Sequence, residues 1–142
     1  MNIINKKAYY EYYLIEKYNA GMVLTGKQIK LIRNNNFELY KSYCKIYNNE
    51  IYIINFKQKL NNKNKKIKLL LTKREINRIK QKLKNNNFTI IPTKIFFSNN
   101  GYAKLEIYLS KKKKIYDKRL IIKKREKLEK DNINKYYNNN FN

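Results

Sequence analysis

Residues 88–109 read FTIIPTKIFFSNNGYAKLEIYL, and this stretch decides the fold class. The dipeptide Asn100-Gly101 is the strongest hairpin signal in the chain, because a tight turn needs positive φ angles that both residues adopt easily. The strand before it carries the only proline, Pro92, which predicts an edge or a bulge. After the turn, predicted inward and outward positions alternate: Ala103, Leu105, Ile107 and Leu109 against Lys104, Glu106 and Tyr108.

Two further stretches have the pattern of a capping box, in which a threonine hydroxyl and a Gln or Glu side chain bond each other's backbone N–H groups. Thr25 with Gln28 predicts a short helix that ends in the asparagines at 34–36. Thr72 with Glu75 predicts a second helix, whose cationic residues surround a narrow apolar stripe. That stripe consists of Ile76, Ile79 and Leu83.

Tyrosine-rich residues 8–18 favour a strand that Gly21 breaks or bends. For the run from Tyr9 to Tyr13, core packing is favoured over stacking on RNA bases. Residues 37–56 favour two strands joined by a turn at 48–50.

Residues 67–71 favour a further strand, and the Lys- and Asn-rich residues 57–66 have no periodicity and are interpreted as a mobile loop. Many short antiparallel strands with helices between them predict a mainly β fold, a small antiparallel barrel of the oligonucleotide-binding type with short flanking helices. We expect residues 1–110 to form this body. Residues 111–142 are expected to form a basic tail that is disordered until it binds.

The charge of the chain predicts a polyanionic partner. It carries 34 Lys and Arg residues against 10 Asp and Glu residues, a formal net charge of +24. Such an excess favours binding to nucleic acid, with an affinity that falls steeply as salt is added. Abundant Asn, Lys, Ile and Tyr are also typical of an A+T-rich genome, so mutational bias explains part of the lysine excess.

The sequence argues against an enzyme. It has no histidine, which removes the commonest general base and metal ligand, and Cys44 is its single cysteine. We therefore expect no catalytic residue, no metal and no cofactor, and no intramolecular disulfide. No apolar run approaches the roughly 18 residues of a membrane span, so a soluble, cytoplasmic monomer is expected.

The segment KKKKIYDKR at residues 111–119 is the most distinctive basic run, and residues 123–125 extend it. Unpaired ammonium groups are costly to bury, so this segment should lie in water or against a polyanion. Tyr116 can stack on a base, and Asp117 can orient a neighbouring Lys or Arg. The pattern favours an RNA-binding protein whose tail has a job separate from that of the body.

The chain closely resembles the small protein B family, the SsrA-binding proteins of bacterial trans-translation. The resemblance rests on the number and order of short motifs across residues 5–126. They are Asn5-Lys6-Lys7-Ala8-Tyr9, Ala20-Gly21-Met22-Val23-Leu24-Thr25-Gly26, Ser42-Tyr43, Lys68-Leu69-Leu70-Leu71, Lys73-Arg74-Glu75-Ile76, Tyr116-Asp117-Lys118-Arg119 and Ile122-Lys123-Lys124-Arg125-Glu126.

The resemblance implies that the barrel binds the tRNA-like domain of transfer-messenger RNA. Family members accompany this RNA, with elongation factor Tu, into the empty A site of stalled ribosomes, where the tail reaches small-subunit rRNA at the decoding centre. It implies RNA contacts on the body at Thr25, Gly26, Gln28, Lys30, Arg33, Lys73 and Arg74. On the tail it implies ribosomal contacts at Lys113, Lys114, Tyr116, Asp117, Lys118, Arg119, Lys123, Lys124 and Arg125.

Some positions depart from the family pattern or leave alternatives open. The family usually has glutamate where this chain has Gln28, and plain helix capping competes there with direct RNA contact. For Lys73, Arg74, Arg78 and Lys80, a merely solvated helix face is the alternative. A basic structural ribosomal protein that binds rRNA remains the alternative function.

Overall fold

The structure is a computed structural model that describes residues 2–85, 87–114, 119 and 123–127. In chain order its elements are β1 (Ile3–Ile4), α1 (Ala8–Glu11), β2 (Tyr12–Met22), α2 (Gly26–Arg33), β3 (Phe37–Glu38), β4 (Tyr43–Tyr47), β5 (Glu50–Gln58), β6 (Asn64–Leu70), α3 (Lys73–Asn85), β7 (Phe88–Phe97) and β8 (Ala103–Lys112).

Six of these strands close into an antiparallel ring in the order β7-β4-β5-β6-β2-β8, with β8 pairing back onto β7. The ring consists of two arcs, β4-β5-β6 and β7-β8-β2, each held by extensive pairing. Two short seams join the arcs. One pairs Gly21 with Leu70 and Met22 with Leu69, and the other pairs Cys44 with Ile90. The predicted small antiparallel barrel is confirmed.

The barrel encloses one apolar core, drawn from every strand of the ring and from α2 and α3. Phe37 and Phe56 stack at its centre, with ring centroids 4.3 Å apart. Ile32 of α2 and Ile79 of α3 are both fully buried. Each such side chain contributes about 1.5–3 kcal/mol through removal of apolar surface from water, so the core anchors both helices against the barrel.

The predicted hairpin is confirmed at both ends. Gly101 has φ +83°, and the Ser98 N–H donates to the Tyr102 carbonyl at 2.9 Å across the turn. The register of β7 against β8 shifts between Pro92 and Lys94, so the proline marks a bulge within a paired strand. The four predicted inward residues of β8 are buried.

The predicted exposure of Glu106 is wrong, because this side chain is buried. The bulge places Thr93 beside it, and the Thr93 hydroxyl donates to Glu106 Oε1 at 2.9 Å. Lys94 Nζ lies 3.7 Å from the other carboxylate oxygen. Alternation along a strand predicts the direction of a side chain but not which residues cover it. Here Thr93 and Lys94 of β7 provide a hydrogen bond and a positive charge for the Glu106 carboxylate.

Residues 8–18 are not one strand, since Ala8–Glu11 forms a helical turn before β2 begins. The predicted core packing of the tyrosine run is also wrong in part, because Tyr9 is 44% exposed and Tyr13 is 43% exposed. Aromatic residues favour strands only weakly against tertiary context. Here the preceding segment is tied to β7 by a 2.7 Å bond from the Asn5 N–H to the Thr93 carbonyl.

Gly21 does not end β2, which continues to Met22. It lies where β2 pairs with both β8 and β6, and a Cβ atom there would stand 3.3 Å from the Cβ of Leu70. Glycine therefore permits the close approach of two strands at the seam.

The predicted mobile loop at 57–66 is wrong for half of its length, because its first two and last three residues lie in strands. Strand β5 continues to Gln58 and β6 begins at Asn64, with Lys57 paired to Asn64. The Gln58 N–H donates to the Lys63 carbonyl at 2.8 Å and closes the turn. These strand ends are too polar to show an alternating pattern, which is why the sequence signal was missing.

The barrel unit comprises Met1–Lys112, and Lys113–Asn142 forms a second unit. Lys111 and Lys112 belong to β8, so the basic run begins inside the sheet rather than after it. Within the second unit, position 119 and residues 123–127 are helical. The expected disorder of the free tail falls mainly on positions outside those described. Among the described residues, no helix has the length and apolar composition to cross a membrane.

Candidate RNA-binding site

Helix α2 is held in place by its two ends. The Gln28 N–H donates to Thr25 Oγ1 at 3.2 Å, and the Thr25 N–H donates to Gln28 Oε1 at 2.9 Å, so the predicted capping box is confirmed. At the other end, the Arg33 guanidinium lies 4.6 Å from the centre of the Phe97 ring. Ile32 is buried in the core, so the backbone of α2 is held in place and its other side chains project from a fixed position.

The cations of α2 have no acidic partner in the part of the chain that the structure describes. Lys27, Lys30 and Arg33 are exposed, and the helix itself carries no carboxylate. The Gln28 carboxamide oxygen is engaged in the cap, which leaves its N–H2 group for another acceptor. Gly26 has nothing within 4 Å of the position a Cβ would take, so its surface is open.

Helix α3 begins with the second capping box, in which the Glu75 N–H donates to Thr72 Oγ1 at 3.2 Å and Glu75 accepts from the Thr72 N–H at 3.0 Å. The predicted apolar stripe packs inward. Lys73 and Arg74, the two predicted RNA contacts, are exposed in the first turn. Both capping boxes could be predicted from the sequence, because the two residues that form each box are three positions apart.

Further along α3 the cations have structural partners. Arg78 Nε lies 3.0 Å from Glu16 Oε1, and Lys82 Nζ binds Glu16 Oε2 at 2.5 Å. Lys80 Nζ bonds Asn49 Oδ1 in the β4–β5 turn. Arg78 and Lys80 therefore have partners within the barrel, whereas Lys73 and Arg74 form no ion pair with a described carboxylate, and RNA contact by any of the four stays a prediction.

Glu16 is the electrostatic centre that the sequence did not reveal. Its hydrogen bond with Lys82 lowers its pKa, and the charge of Arg78 acts in the same direction. Burial raises the pKa of the neighbouring Tyr18 phenol to about 12, and the Glu16 carboxylate adds to that rise. Glu16 and Lys82 are 66 positions apart in the chain, so no local sequence pattern could predict that they form an ion pair.

Helices α2 and α3 each follow one of two strands that pair with each other. β2 and β6 are antiparallel where Met22 pairs with Leu69, and α2 follows the end of β2 whereas α3 follows the end of β6. The chain therefore leaves the two strands in opposite directions along the pair. The predicted body contacts form two groups, Thr25 to Arg33 on α2 and Lys73 with Arg74 at the start of α3.

The remaining carboxylates of the barrel mostly have cationic partners of their own. Lys57 pairs with Glu38 at 3.7 Å, Lys68 pairs with Glu50 at 2.9 Å, and Lys94 pairs with Glu106. This internal neutralisation leaves the excess positive charge on residues such as those of α2. An anion approaching α2 meets cations that form no ion pair with a described carboxylate of the barrel.

The predicted tail contacts are only partly within the described residues. Lys113 and Lys114 directly follow β8, and Lys113 is buried, so the expectation that this run lies wholly in water or against a polyanion is wrong at that position. Arg119, Lys123, Lys124 and Arg125 are exposed at helical positions. Tyr116, Asp117 and Lys118 lie outside the described residues. Their assigned roles therefore stay predictions.

A six-strand antiparallel barrel that presents unneutralised cations on a capped helix defines a nucleic-acid-binding protein of the oligonucleotide-binding barrel class. The chain belongs to the SmpB protein family, whose model matches residues 2–138. The resemblance seen in the sequence motifs is thereby confirmed, and the family is one of RNA-binding proteins.

The curated relatives are similar over nearly their whole length. An SsrA-binding protein of Mycoplasma mycoides is 47% identical over 131 residues, which cover 86% of this chain and 88% of the relative. An SsrA-binding protein of Flavobacterium psychrophilum is 42% identical over 146 residues, covering 96% and 97%.

The fold also matches a solved structure. The barrel is similar to a chain in the work "tmRNA-SmpB: a journey to the center of the bacterial ribosome", with a TM-score of 0.63 and 31% identity. The match covers 80% of this chain and 85% of that chain.

Proposed function

We propose that this protein binds the tRNA-like domain of transfer-messenger RNA and delivers it to the A site of stalled ribosomes, where it supports trans-translation. The observation that carries the proposal is the cationic surface of α2, which its cap and its buried Ile32 hold in place and whose cations pair with no described carboxylate. Family membership supplies the identity of the RNA.

Binding in this proposal is by shape and charge. Lys30 and Arg33 contact phosphates, and Gln28 holds the start of the helix in place through the cap. Lys73 and Arg74 form a second point of phosphate contact at the start of α3. Two separated groups on a rigid barrel favour a folded RNA of matching curvature over an arbitrary strand.

The tail acts on the ribosome. Lys113, Lys114, Lys118, Arg119 and residues 123–125 approach small-subunit rRNA, Tyr116 stacks on a base there, and Asp117 orients a neighbouring cation. Elongation factor Tu joins through the charged RNA. The work is positioning rather than bond-making, so the protein acts as an RNA-binding factor without enzymatic chemistry, in the cytoplasm where ribosomes translate.

The first test is a binding titration against the tRNA-like domain, with an ordinary tRNA as competitor, at about 0.05 M and about 0.2 M salt. We expect the preference for the tRNA-like domain to survive at the higher salt. If the protein bound the tRNA-like domain and the ordinary tRNA equally, and lost both at the higher salt, the alternative function of a basic structural ribosomal protein would be favoured instead.

A second measurement separates the tail from the body. Replacing Asp117, Lys118 and Arg119 by alanine in the full chain should abolish tagging of stalled nascent chains while affinity for the tRNA-like domain stays within about twofold, since these residues lie outside the barrel. Normal tagging by this variant would contradict the role of the tail.

A further inference from the structure

The outer surface of β4, β5 and β6 carries a patch that the proposed function does not use. We call it the tyrosine–lysine face, and it comprises Tyr43, Lys45, Tyr47, Tyr52 and Lys66. Alternation along each strand sends these five side chains outward, because their neighbours Cys44, Ile51, Ile53 and Ile67 are buried in the core.

Strand register brings the five residues together. Lys45 pairs with Tyr52 across β4 and β5, and Tyr43 and Tyr47 lie two positions to either side of Lys45. Lys66 Nζ lies 4.5 Å from the centre of the Tyr52 ring and 5.9 Å from that of Tyr47. Aromatic rings and ammonium groups thus alternate over three adjacent strands.

The rings of this face are open to solvent. Tyr47 is 61% exposed and Tyr43 is 40% exposed, whereas Tyr52 is half-buried between its lysine neighbours. An aromatic ring exposed to this degree adds little to the core. It does offer a rigid π-surface on which a base can stack, with little side-chain entropy lost.

The charge on the face is positive. Its single described carboxylate, Glu50, binds Lys68 Nζ at 2.9 Å and accepts from the Tyr52 hydroxyl at 2.8 Å, so it is neutralised within the barrel. Lys68 lowers the pKa of Glu50, which keeps that pair ionised and paired. Lys45 and Lys66 are left without an acidic partner among the described residues.

We propose that the tyrosine–lysine face binds a single-stranded RNA segment, with unpaired bases stacked on Tyr47 and Tyr43 and the phosphates held by Lys45 and Lys66. Stacking accepts any base but requires that the base is free of its helix, so a duplex does not fit. The face shares no residue with the α2 and α3 contacts, and it therefore adds a second RNA contact to the proposed function.

The test uses the full chain and a fluorescein-labelled RNA of about eight nucleotides, single-stranded or as a duplex, at about 0.2 M salt, where phosphate contacts alone are weak. The variant is Tyr43→Thr with Tyr47→Thr, since threonine keeps the strand preference and removes the ring. Tyr102→Thr is the matched control, because Tyr102 is 68% exposed in the β7–β8 turn, away from this face.

We expect the double variant to lose at least tenfold in affinity for the single strand, with duplex binding and the melting temperature nearly unchanged and with no effect of Tyr102→Thr. Lys66→Gln should reduce the salt slope of single-strand binding by about 1. Unchanged single-strand affinity in the double variant, or an equal loss for the duplex, would overturn the proposal.

A further variant, Lys30→Gln with Arg33→Gln, keeps the two proposals apart. It should weaken binding of the tRNA-like domain and leave the affinity for the short single strand within about twofold, because α2 and the tyrosine–lysine face contain different residues. Loss of single-strand binding in this α2 variant would show that α2 binds the single strand, and it would overturn the proposal that the tyrosine–lysine face is a separate site.

Discussion

Helices α2 and α3 begin with the same kind of cap and differ in what their cations contact. In α3, Arg78 and Lys82 share the carboxylate of Glu16, and Lys80 reaches Asn49. In α2, Lys30 and Arg33 have no carboxylate partner in the described chain. The carboxylate positions of the barrel thus decide which basic helix keeps unpaired cations, and we expect RNA to bind where the charges are unpaired.

The largest expected effect is a loss of RNA affinity when two positive charges are removed from α2, compared with the removal of two from α3. Lys30→Gln with Arg33→Gln should lower the affinity for the tRNA-like domain about tenfold or more and reduce its salt slope by about 2, since each contact contributes about 0.7–0.9. The unfolding free energy should fall by about 0.5–1 kcal/mol, because the contact of Arg33 with the Phe97 ring is lost as well.

Arg78→Gln with Lys82→Gln is the matched control, because it removes the same net charge. We expect it to lower the unfolding free energy by about 1 kcal/mol, since it breaks a part-buried ion-pair network, and to affect RNA binding less. Titration and denaturant unfolding on both variants make the comparison. Equal losses of affinity would mean that the helices contribute only their total charge.

A smaller effect is expected from pH. The pKa of Glu16 is lowered in the folded protein, chiefly by Lys82, from an ordinary value of 4.5. Its contribution to stability is therefore complete above about pH 4.5 and is lost as the pH falls through the folded value. Glu16→Gln should flatten the stability profile in this acid window by on the order of 1 kcal/mol. Urea unfolding at several pH values measures it.

Helix α2 provides the control for this pH effect, because it contains no carboxylate. Lys30→Gln should leave the acid part of the stability profile as it is in the original chain. If Glu16→Gln and Lys30→Gln gave the same profile, Glu16 would not be the group that fastens α3.

The smallest effect on RNA affinity and on stability is expected from a substitution that makes the capping box of α2 the same as that of α3. Gln28→Glu gives α2 the Thr–Glu box of α3, and a carboxylate can accept the same bond from the Thr25 N–H. We expect RNA affinity within about twofold and stability within about 0.5 kcal/mol of the original chain. A loss of affinity above tenfold would instead identify the Gln28 carboxamide as an RNA contact that a carboxylate cannot replace.

Features set by neighbours in the chain could be predicted from the sequence. Both capping boxes, the turn at Gly101 and the bulge at Pro92 depend on residues a few positions apart, and all four were correctly placed. The barrel class followed from the number and spacing of the strands, and the family resemblance followed from motif order.

Features set by distant residues could not be predicted. The burial of Glu106 depends on Thr93 across a hairpin, and the fastening of α3 depends on Glu16 in β2. The helical turn Ala8–Glu11 has strand-favouring residues that tertiary contacts overrule. The sequence indicated where cations occur along α3, but only the structure shows which of them already have partners.

The two short seams of the barrel determine how the ring opens. Separating the arcs at Met22–Leu69 and at Cys44–Ile90 breaks far less of the hydrogen-bond ladder than separating any pair of strands within an arc. Helix α3 bridges the two arcs, because Arg78 and Lys82 bind Glu16 in β2 and Lys80 binds Asn49 beside β4. We therefore expect this helix to resist local separation of the arcs, so that replacing Arg78, Lys80 and Lys82 should speed amide hydrogen exchange in both arcs together.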